Sequence, residues 1–270
     1  MFWLGLSLAL VSALAVNWAY AKEHDAAADL PPLSFGELRK SLRLLLGARA
    51  WLVAFGVECA GWLVYVASLR LAPLALVQAV SAAGIAALAF VSCRGKVHLL
   101  SWRERSAVLA AFTGLLLLGL SLRGVHQADR PPSPLWVFVW LASCATGALL
   151  VVRVLPVARP DARFGLAAGL LFAAGDMSAK VIGYGGAWFA VLVALLVCYG
   201  FGTSVLQGAF QRGGALTAAG IATLTANAVP ISAGFVLFGE ELPSGAAGGL
   251  QVAAFASIVL SATLLGRHSL

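Results

Sequence analysis

Charged residues are scarce in this chain of 270 residues. Asp, Glu, Lys and Arg make up 11% of the sequence, 61% of the residues are hydrophobic, and the mean hydropathy is +0.94. Soluble domains carry about 25% charged residues, and so few charges cannot cover a water-facing surface of this size. The composition excludes a soluble domain and predicts an all-α integral membrane protein.

Residue types that bind metals or form disulfides are also few. No Cys or His residues have metal-ligand or disulfide-framework spacing. The four cysteines are isolated in or beside apolar runs, at Cys59, Cys93, Cys144 and Cys198. The four histidines lie between or after those runs, at His24, His98, His126 and His268. We therefore expect no cofactor. The net charge of +7 does not indicate a nucleic-acid partner, because no basic run alternates with aromatic residues.

Apolar segments long enough to cross a bilayer, which takes about 20 residues, recur along the chain. There are nine, at approximately 2–21, 50–69, 72–91, 106–122, 135–155, 164–182, 187–210, 214–238 and 246–266. The first ends in Ala19, Tyr20 and Ala21, which resembles a signal-peptidase site. We favour a retained helix over a cleaved signal peptide, because no positive charge precedes the apolar core.

Lys and Arg residues are distributed unevenly between the loops. With the N-terminus outside, fourteen of the eighteen fall in segments predicted to be cytoplasmic and four in external segments. Positive residues concentrate on the cytoplasmic side of membrane proteins. The C-terminus of a nine-span chain is then cytoplasmic as well. We expect the protein in the lipid bilayer of a bacterial plasma membrane.

The longest loop, 22–49, contains an amphipathic pattern. Ser34 and Glu37 have the spacing of a helix capping box. Apolar and basic side chains then fall on opposite helical faces, with Phe35, Leu38, Leu42 and either Leu45 or Leu46 on one and Arg39, Lys40 and Arg43 on the other. The pattern predicts a short helix near 34–46 on the cytoplasmic leaflet. A partly ordered charged linker is the alternative.

Segments in the two halves of the chain resemble each other. Spans one and six both close with Ala-Lys, spans two and seven both open with Ala-Trp, and Ala-Ala-Gly-Ile occurs at 82–85 and 218–221. We infer a first repeat of five spans in 1–155 and a second of four in 156–270. An odd number of spans inverts the second copy. Inverted repeats are typical of alternating access, with the substrate near the bilayer midplane.

Three short segments add a resemblance to a known family. They read LAPLALVQ at 71–78, NAVPI at 227–231 and LFGEELP at 237–243. With the inverted repeat, they resemble the drug/metabolite transporter superfamily, in particular its EamA-type members and the NIPA-type magnesium transporters. The nine spans resemble the NIPA-type count. The resemblance implies a secondary transporter for a small solute or a divalent cation such as magnesium, and a homodimer is compatible with it.

Two acidic residues lie at bilayer depth, where charges are costly and usually face a cavity or a partner. Glu58 is near the middle of the second span, and Asp176 is about two-thirds along the sixth. They are candidates for a cation or proton site and would be the metal ligands if the substrate is a divalent cation. In the alternative interpretation, Asp176 pairs with Lys180 one turn later and Glu58 is a protonated, hydrogen-bonded carboxyl.

Neutral polar residues in the spans either line the same cavity or serve only as contacts between helices. They are Asn17, Gln78, Gln207, Thr225 and Asn227. The predicted substrate or ion pathway contains Glu58, Asp176, Lys180, Asn17, Gln78 and Asn227.

Two other functional classes are alternatives to a transporter. A non-transporting membrane scaffold or accessory subunit remains open. A membrane-embedded enzyme would need paired acids, a His cluster or an activated nucleophile at depth. The sequence reveals none of these, and we predict that the protein is not an enzyme.

Overall fold

The computed structural model describes residues 2–31, 38–69, 71, 80, 83–93, 96, 100–121, 132–153, 159–182, 184–238 and 245–266. All regular structure in these ranges is helical. The helices are α1 (Phe2–Ala28), α2 (Leu38–Gly47), α3 (Arg49–Leu69), α4 (Ala83–Ser92), α5 (Trp102–Ser121), α6 (Pro134–Arg153), α7 (Pro160–Ile182), a 3-10 turn (Gly186–Val191) leading into α8 (Leu192–Phe210), α9 (Ala215–Phe238) and α10 (Gly245–Gly266).

Within the described ranges, six helices are long and apolar enough to cross a membrane. They are α1, α3, α6, α7, α8 with its preceding 3-10 turn, and α10. The prediction of an all-α membrane protein is confirmed. Helices α4, α5 and α9 match the remaining three predicted segments in position, and the total of nine spans stays a prediction.

Helix α1 is longer than the sequence pattern predicts. The predicted span ends at residue 21, whereas the helix continues to Ala28. The sequence pattern predicts a loop at residues 22–28, because four of the seven, Lys22, Glu23, His24 and Asp25, are charged or titratable. They continue the helix because no Gly or Pro interrupts it and three alanines end it. The correction places Glu23 inside a membrane-length helix.

Helix α2 lies within the segment predicted to be amphipathic. Its capping-box residues 34–37 fall outside the described residues. Leu45 is buried against Trp51 at the start of α3 and packs with Ala26 and Leu30 at the end of α1. The apolar face of α2 therefore rests on one end of the α1–α3 pair.

In the first half of the chain, α1 packs against α3 and α4. Ser12 of α1 donates a hydrogen bond to the Gly61 carbonyl of α3 at 2.7 Å, and Trp51 near the start of α3 packs near Ala26. These two contacts show that α1 and α3 run antiparallel. Ala9 packs near Val80, and Asn17 lies against Gly84, so the α1–α4 register is parallel.

The second half packs in the same order. Helices α7 and α8 are antiparallel, since Phe172 contacts Gly202 while Gly175 contacts Tyr199. Helices α7 and α9 are parallel, with close approaches of Gly165 to Ala218 and of Gly169 to Ala222.

Two further pairs join the halves. Helices α4 and α9 are in contact, and α5 packs extensively against α10. In the α5–α10 pair, Ser261 donates to the Ala107 carbonyl at 2.8 Å, and Gly114 meets the Ala254 carbonyl. These two contacts show that α5 and α10 run antiparallel.

Candidate functional site

Two glutamates from neighbouring helices meet inside the bundle. Glu58 lies at the middle of α3, and the antiparallel register brings it to Glu23 on α1. The Glu58 carboxyl is close enough to interact with both the Glu23 carboxyl and the Tyr20 hydroxyl. Tyr20 precedes Glu23 by about one helical turn and therefore lies on the same face of α1. The sequence identified Glu58 but missed Glu23, which is fully buried.

Helix α8 contributes Gln207 to the same place. Its Nε2 donates a hydrogen bond to Glu23 Oε2 at 2.5 Å, and its side chain is fully buried. We call Tyr20, Glu23, Glu58 and Gln207 the acidic site. From the sequence, Gln207 is one of the neutral polar residues that either line the cavity or serve only as contacts between helices, and no partner for it is predicted.

Three oxygen atoms of the acidic site are buried without a hydrogen-bond partner. They are Glu23 Oε1, Glu58 Oε2 and Gln207 Oε1. The large majority of buried polar side-chain atoms are satisfied in native proteins, and exceptions need a specific explanation. The acidic site can therefore still accept hydrogen bonds.

Asp176 on α7 is hydrogen-bonded to a tyrosine near the acidic site. The Tyr199 hydroxyl of α8 donates a hydrogen bond to Asp176 Oδ1. The Tyr199 ring lies edge-on to Trp62 of α3 with the centroids 6.4 Å apart. It also packs against Gly175, where a Cβ atom would come within 2.7 Å of the ring. Glycine at 175 thus permits the approach of Tyr199 to α7.

Tyr20 connects the two groups of acids. It lies within electrostatic range of Glu58, Glu23 and Asp176, and Tyr199 is within range of Tyr20. The site residues come from α1 and α3 in the first half of the chain and from α7 and α8 in the second. The structure thus places Glu58 and Asp176, the two acids predicted from their depth, near the same tyrosine.

The other predicted pathway residues have varied surroundings. Lys180 follows Asp176 by one turn and is partly buried, and their pairing stays a prediction. Asn17 Nδ2 donates to the Ala13 carbonyl of its own helix at 2.9 Å. Asn227 Nδ2 does the same to Thr223 at 2.7 Å. Thr225 likewise donates to a carbonyl of its own helix. Gln78 lies outside the described residues.

No three His, Cys, Asp or Glu residues within the described ranges are grouped so that they could hold a metal ion. The proposed metal ligands Glu58 and Asp176 each have other close partners. Glu58 lies with Glu23 and Tyr20, and Asp176 accepts from Tyr199.

The end of α1 is tied to the turn between α8 and α9. Gln211 Nε2 donates to the Ala27 carbonyl at 2.9 Å and to the Leu30 carbonyl at 3.3 Å. His24 Nε2 lies 2.9 Å from the Gly213 carbonyl. We call these contacts the basal junction. Gln211 thus adds a second donor to the Ala27 carbonyl, which also accepts from the Leu30 amide at 3.2 Å.

Asp161 fixes the other side of the same turn. Its carboxylate accepts from Arg159 Nη2 at 2.7 Å and from the Gly214 amide at 3.2 Å. Only 1% of Asp161 is exposed. The start of α7 is therefore joined through the 211–214 turn to the end of α1.

Comparison with known proteins finds no relative: no family model, no curated protein and no solved structure matches this chain.

Proposed function

We propose that the protein is a secondary transporter of the drug/metabolite type, which moves a small solute or a divalent cation across the membrane by alternating access. The observation that carries the proposal is the acidic site together with Asp176. Acidic residues within membrane helices are costly and are retained mainly on substrate and ion pathways. Here Glu23 and Glu58 meet, and Asp176, from the second half of the chain, lies within electrostatic range of the Tyr20 that contacts Glu58.

The order of helix packing supports the same mechanism. An antiparallel pair followed by a parallel neighbour occurs as α1, α3 and α4, and again as α7, α8 and α9. The cross-contacts α4–α9 and α5–α10 join equivalent helices of the two halves. This is the packing expected of an inverted five-plus-four repeat with nine spans, an external N-terminus and a cytoplasmic C-terminus.

Reconstitution into liposomes tests the proposal. Purified protein in proteoliposomes is offered a mixture of amines, amino acids, nucleosides and Mg²⁺, and the solutes inside and outside are quantified over time. We expect at least one solute to cross saturably and chemically unchanged, at a rate above that of protein-free liposomes.

The other outcomes separate the alternative classes. Absence of movement for every solute contradicts the proposal and supports a scaffold or accessory subunit. Chemical conversion of a solute contradicts it in favour of an enzyme, since Glu23 and Glu58 also form the pair of acids that hydrolytic chemistry uses.

A further inference from the structure

The three unpartnered oxygens of the acidic site define the ligand that would complete it. Glu23 Oε1, Glu58 Oε2 and Gln207 Oε1 are all buried acceptors. Two of them belong to carboxyls that lie against each other, and the third belongs to a neutral amide bonded to one of those carboxyls. Such a set can accept several hydrogen bonds and favours a donor with positive charge.

The ion pairs described for the chain involve other acids. Asp25 pairs with Lys22 and His24, and Asp161 pairs with Arg159. A cation entering the acidic site therefore meets carboxyl oxygens that none of these ion pairs engages, in a buried setting, and charge-assisted hydrogen bonds are about twice as strong as neutral ones. The side chains of Tyr20, Trp62 and Tyr199 lie around the acids, and aromatic faces attract cations.

We propose that the acidic site binds a protonated primary amine, whose three N–H groups donate to Glu23 Oε1, Glu58 Oε2 and Gln207 Oε1. A primary ammonium carries three donors and one charge, which matches three acceptors. A quaternary ammonium has no N–H donor. Mg²⁺ loses its water shell reluctantly and requires octahedral oxygen ligands. This inference rests on the proposed function and names the substrate class of that site.

Gln207 is the specificity-determining residue in this arrangement. Its Nε2 donates a hydrogen bond to Glu23, and its Oε1 is a buried acceptor without a partner. Replacement with leucine removes one acceptor from the ligand and the Nε2 donor to Glu23, and both carboxyls remain in the chain. Gln251 provides a matched control: it is also a buried glutamine with an unpartnered side-chain atom, but it lies on α10, which packs against α5.

The experiment measures binding to the purified full-length chain in detergent by thermal shift and calorimetry. The probes are butylammonium, butyltrimethylammonium, 1-butanol and Mg²⁺ at equal concentrations. We expect butylammonium alone to stabilise the protein saturably. Gln207→Leu should weaken its binding by about tenfold or more, the scale expected for one charge-assisted hydrogen bond. Gln251→Leu should bind as the wild type does.

Several results would overturn the inference. They are a lack of butylammonium binding, equal or stronger binding of butyltrimethylammonium or Mg²⁺, and equal effects of the two glutamine substitutions. Gln207→Met, which has a similar length, replaces Gln207→Leu if the leucine variant does not give a monodisperse preparation.

The proteoliposome assay separates this inference from the proposed function. Transport of another solute without butylammonium binding rejects the substrate class and retains the transporter. Butylammonium binding without transport of any solute rejects the transporter and retains the amine site.

Discussion

At the scale of single residues, Glu58 offers the most direct test of the pathway. Glu58→Gln preserves the shape of the side chain but removes its titratable carboxyl, and Oε2 has no hydrogen-bond partner to lose. We expect transport in proteoliposomes to be abolished, with expression and the melting temperature close to those of the wild type. Asp29→Asn is the control, since it makes the same chemical change at an exposed position just after α1. Undiminished transport by Glu58→Gln would remove Glu58 from the mechanism.

Asp161 is a residue whose role is stability. Asp161→Ala leaves the Arg159 guanidinium and the Gly214 amide without their shared acceptor. Breaking a buried ion pair by removing one partner costs about 3 kcal/mol. We therefore expect a clearly lower melting temperature in detergent.

Asp25→Ala is the comparison for that measurement. Asp25 is half exposed and pairs with Lys22 at 3.4 Å, and an exposed pair contributes less than about 1 kcal/mol. Equal melting temperatures for the two variants would show that burial of the Arg159–Asp161 pair has no energetic consequence.

Position within apolar runs makes Glu58 and Asp176 candidates from the sequence alone, because a charged residue inside an apolar run is easily recognised. Glu23 could not be identified in the same way, since it follows Lys22 and belongs to a charged stretch. The signal that could have found it is the lack of any Gly or Pro in residues 22–28. The partnership of Gln207 with Glu23 depends on the α1–α8 register, which is a tertiary property that a single sequence does not display.

At the scale of helices, glycines set the closest approaches. Gly165 and Gly169 lie four residues apart on one face of α7. A Cβ atom at 169 would lie 2.7 Å from the Ala222 carbonyl oxygen and 2.6 Å from Thr225 Cβ. Because the Ala222 oxygen belongs to the backbone, this clash can be relieved only if α9 moves. Small residues spaced in this way allow membrane helices to pack closely.

Gly169→Ala should consequently destabilise the protein by about 1–3 kcal/mol through overpacking, and the melting temperature should fall. The same substitution at Gly200 is the matched control, because nothing lies within 4 Å of a Cβ atom there. Alanine at this exposed position of α8 should be neutral or slightly stabilising. A melting temperature for Gly169→Ala equal to that of Gly200→Ala would contradict the close α7–α9 packing.

The positions of most helices could be predicted from the sequence, but different sequence features mark the different helix ends. The starts of α6 and α7 follow Pro-containing, charged segments, and α9 begins after Gly213 and Gly214, where chain composition changes sharply. The end of α1 has no such change in composition. Its polar last turns stay helical because tertiary contacts stabilise them. Glu23 is bonded to Gln207, and Gln211 bonds to the Ala27 carbonyl. Local pattern alone therefore ends this helix too early.

At the scale of the whole molecule, the basal junction and the acidic site constrain each other. Both join α1 to the C-terminal end of α8, with Gln207 at the site and Gln211 one turn later, just after α8, at the junction. Access to the acidic site from this end of the bundle requires α1 to separate from the 211–214 turn. Alternating access therefore predicts that the basal junction opens once in each transport cycle.

Cross-linking across the junction tests this prediction. Leu30→Cys and Gln211→Cys are introduced together into a chain from which Cys59, Cys93, Cys144 and Cys198 have been removed, because the Gln211 side chain bonds to the Leu30 carbonyl. A short, reducible bis-maleimide should then join α1 to the turn. We expect solute transport in proteoliposomes to stop on cross-linking and to recover when the linker is reduced, because the junction is held closed. Each single-cysteine variant, treated in the same way, should remain active. Full transport by the cross-linked protein would mean that the solute crosses without separation of α1 from α8, and the pathway would then have to open between other helices.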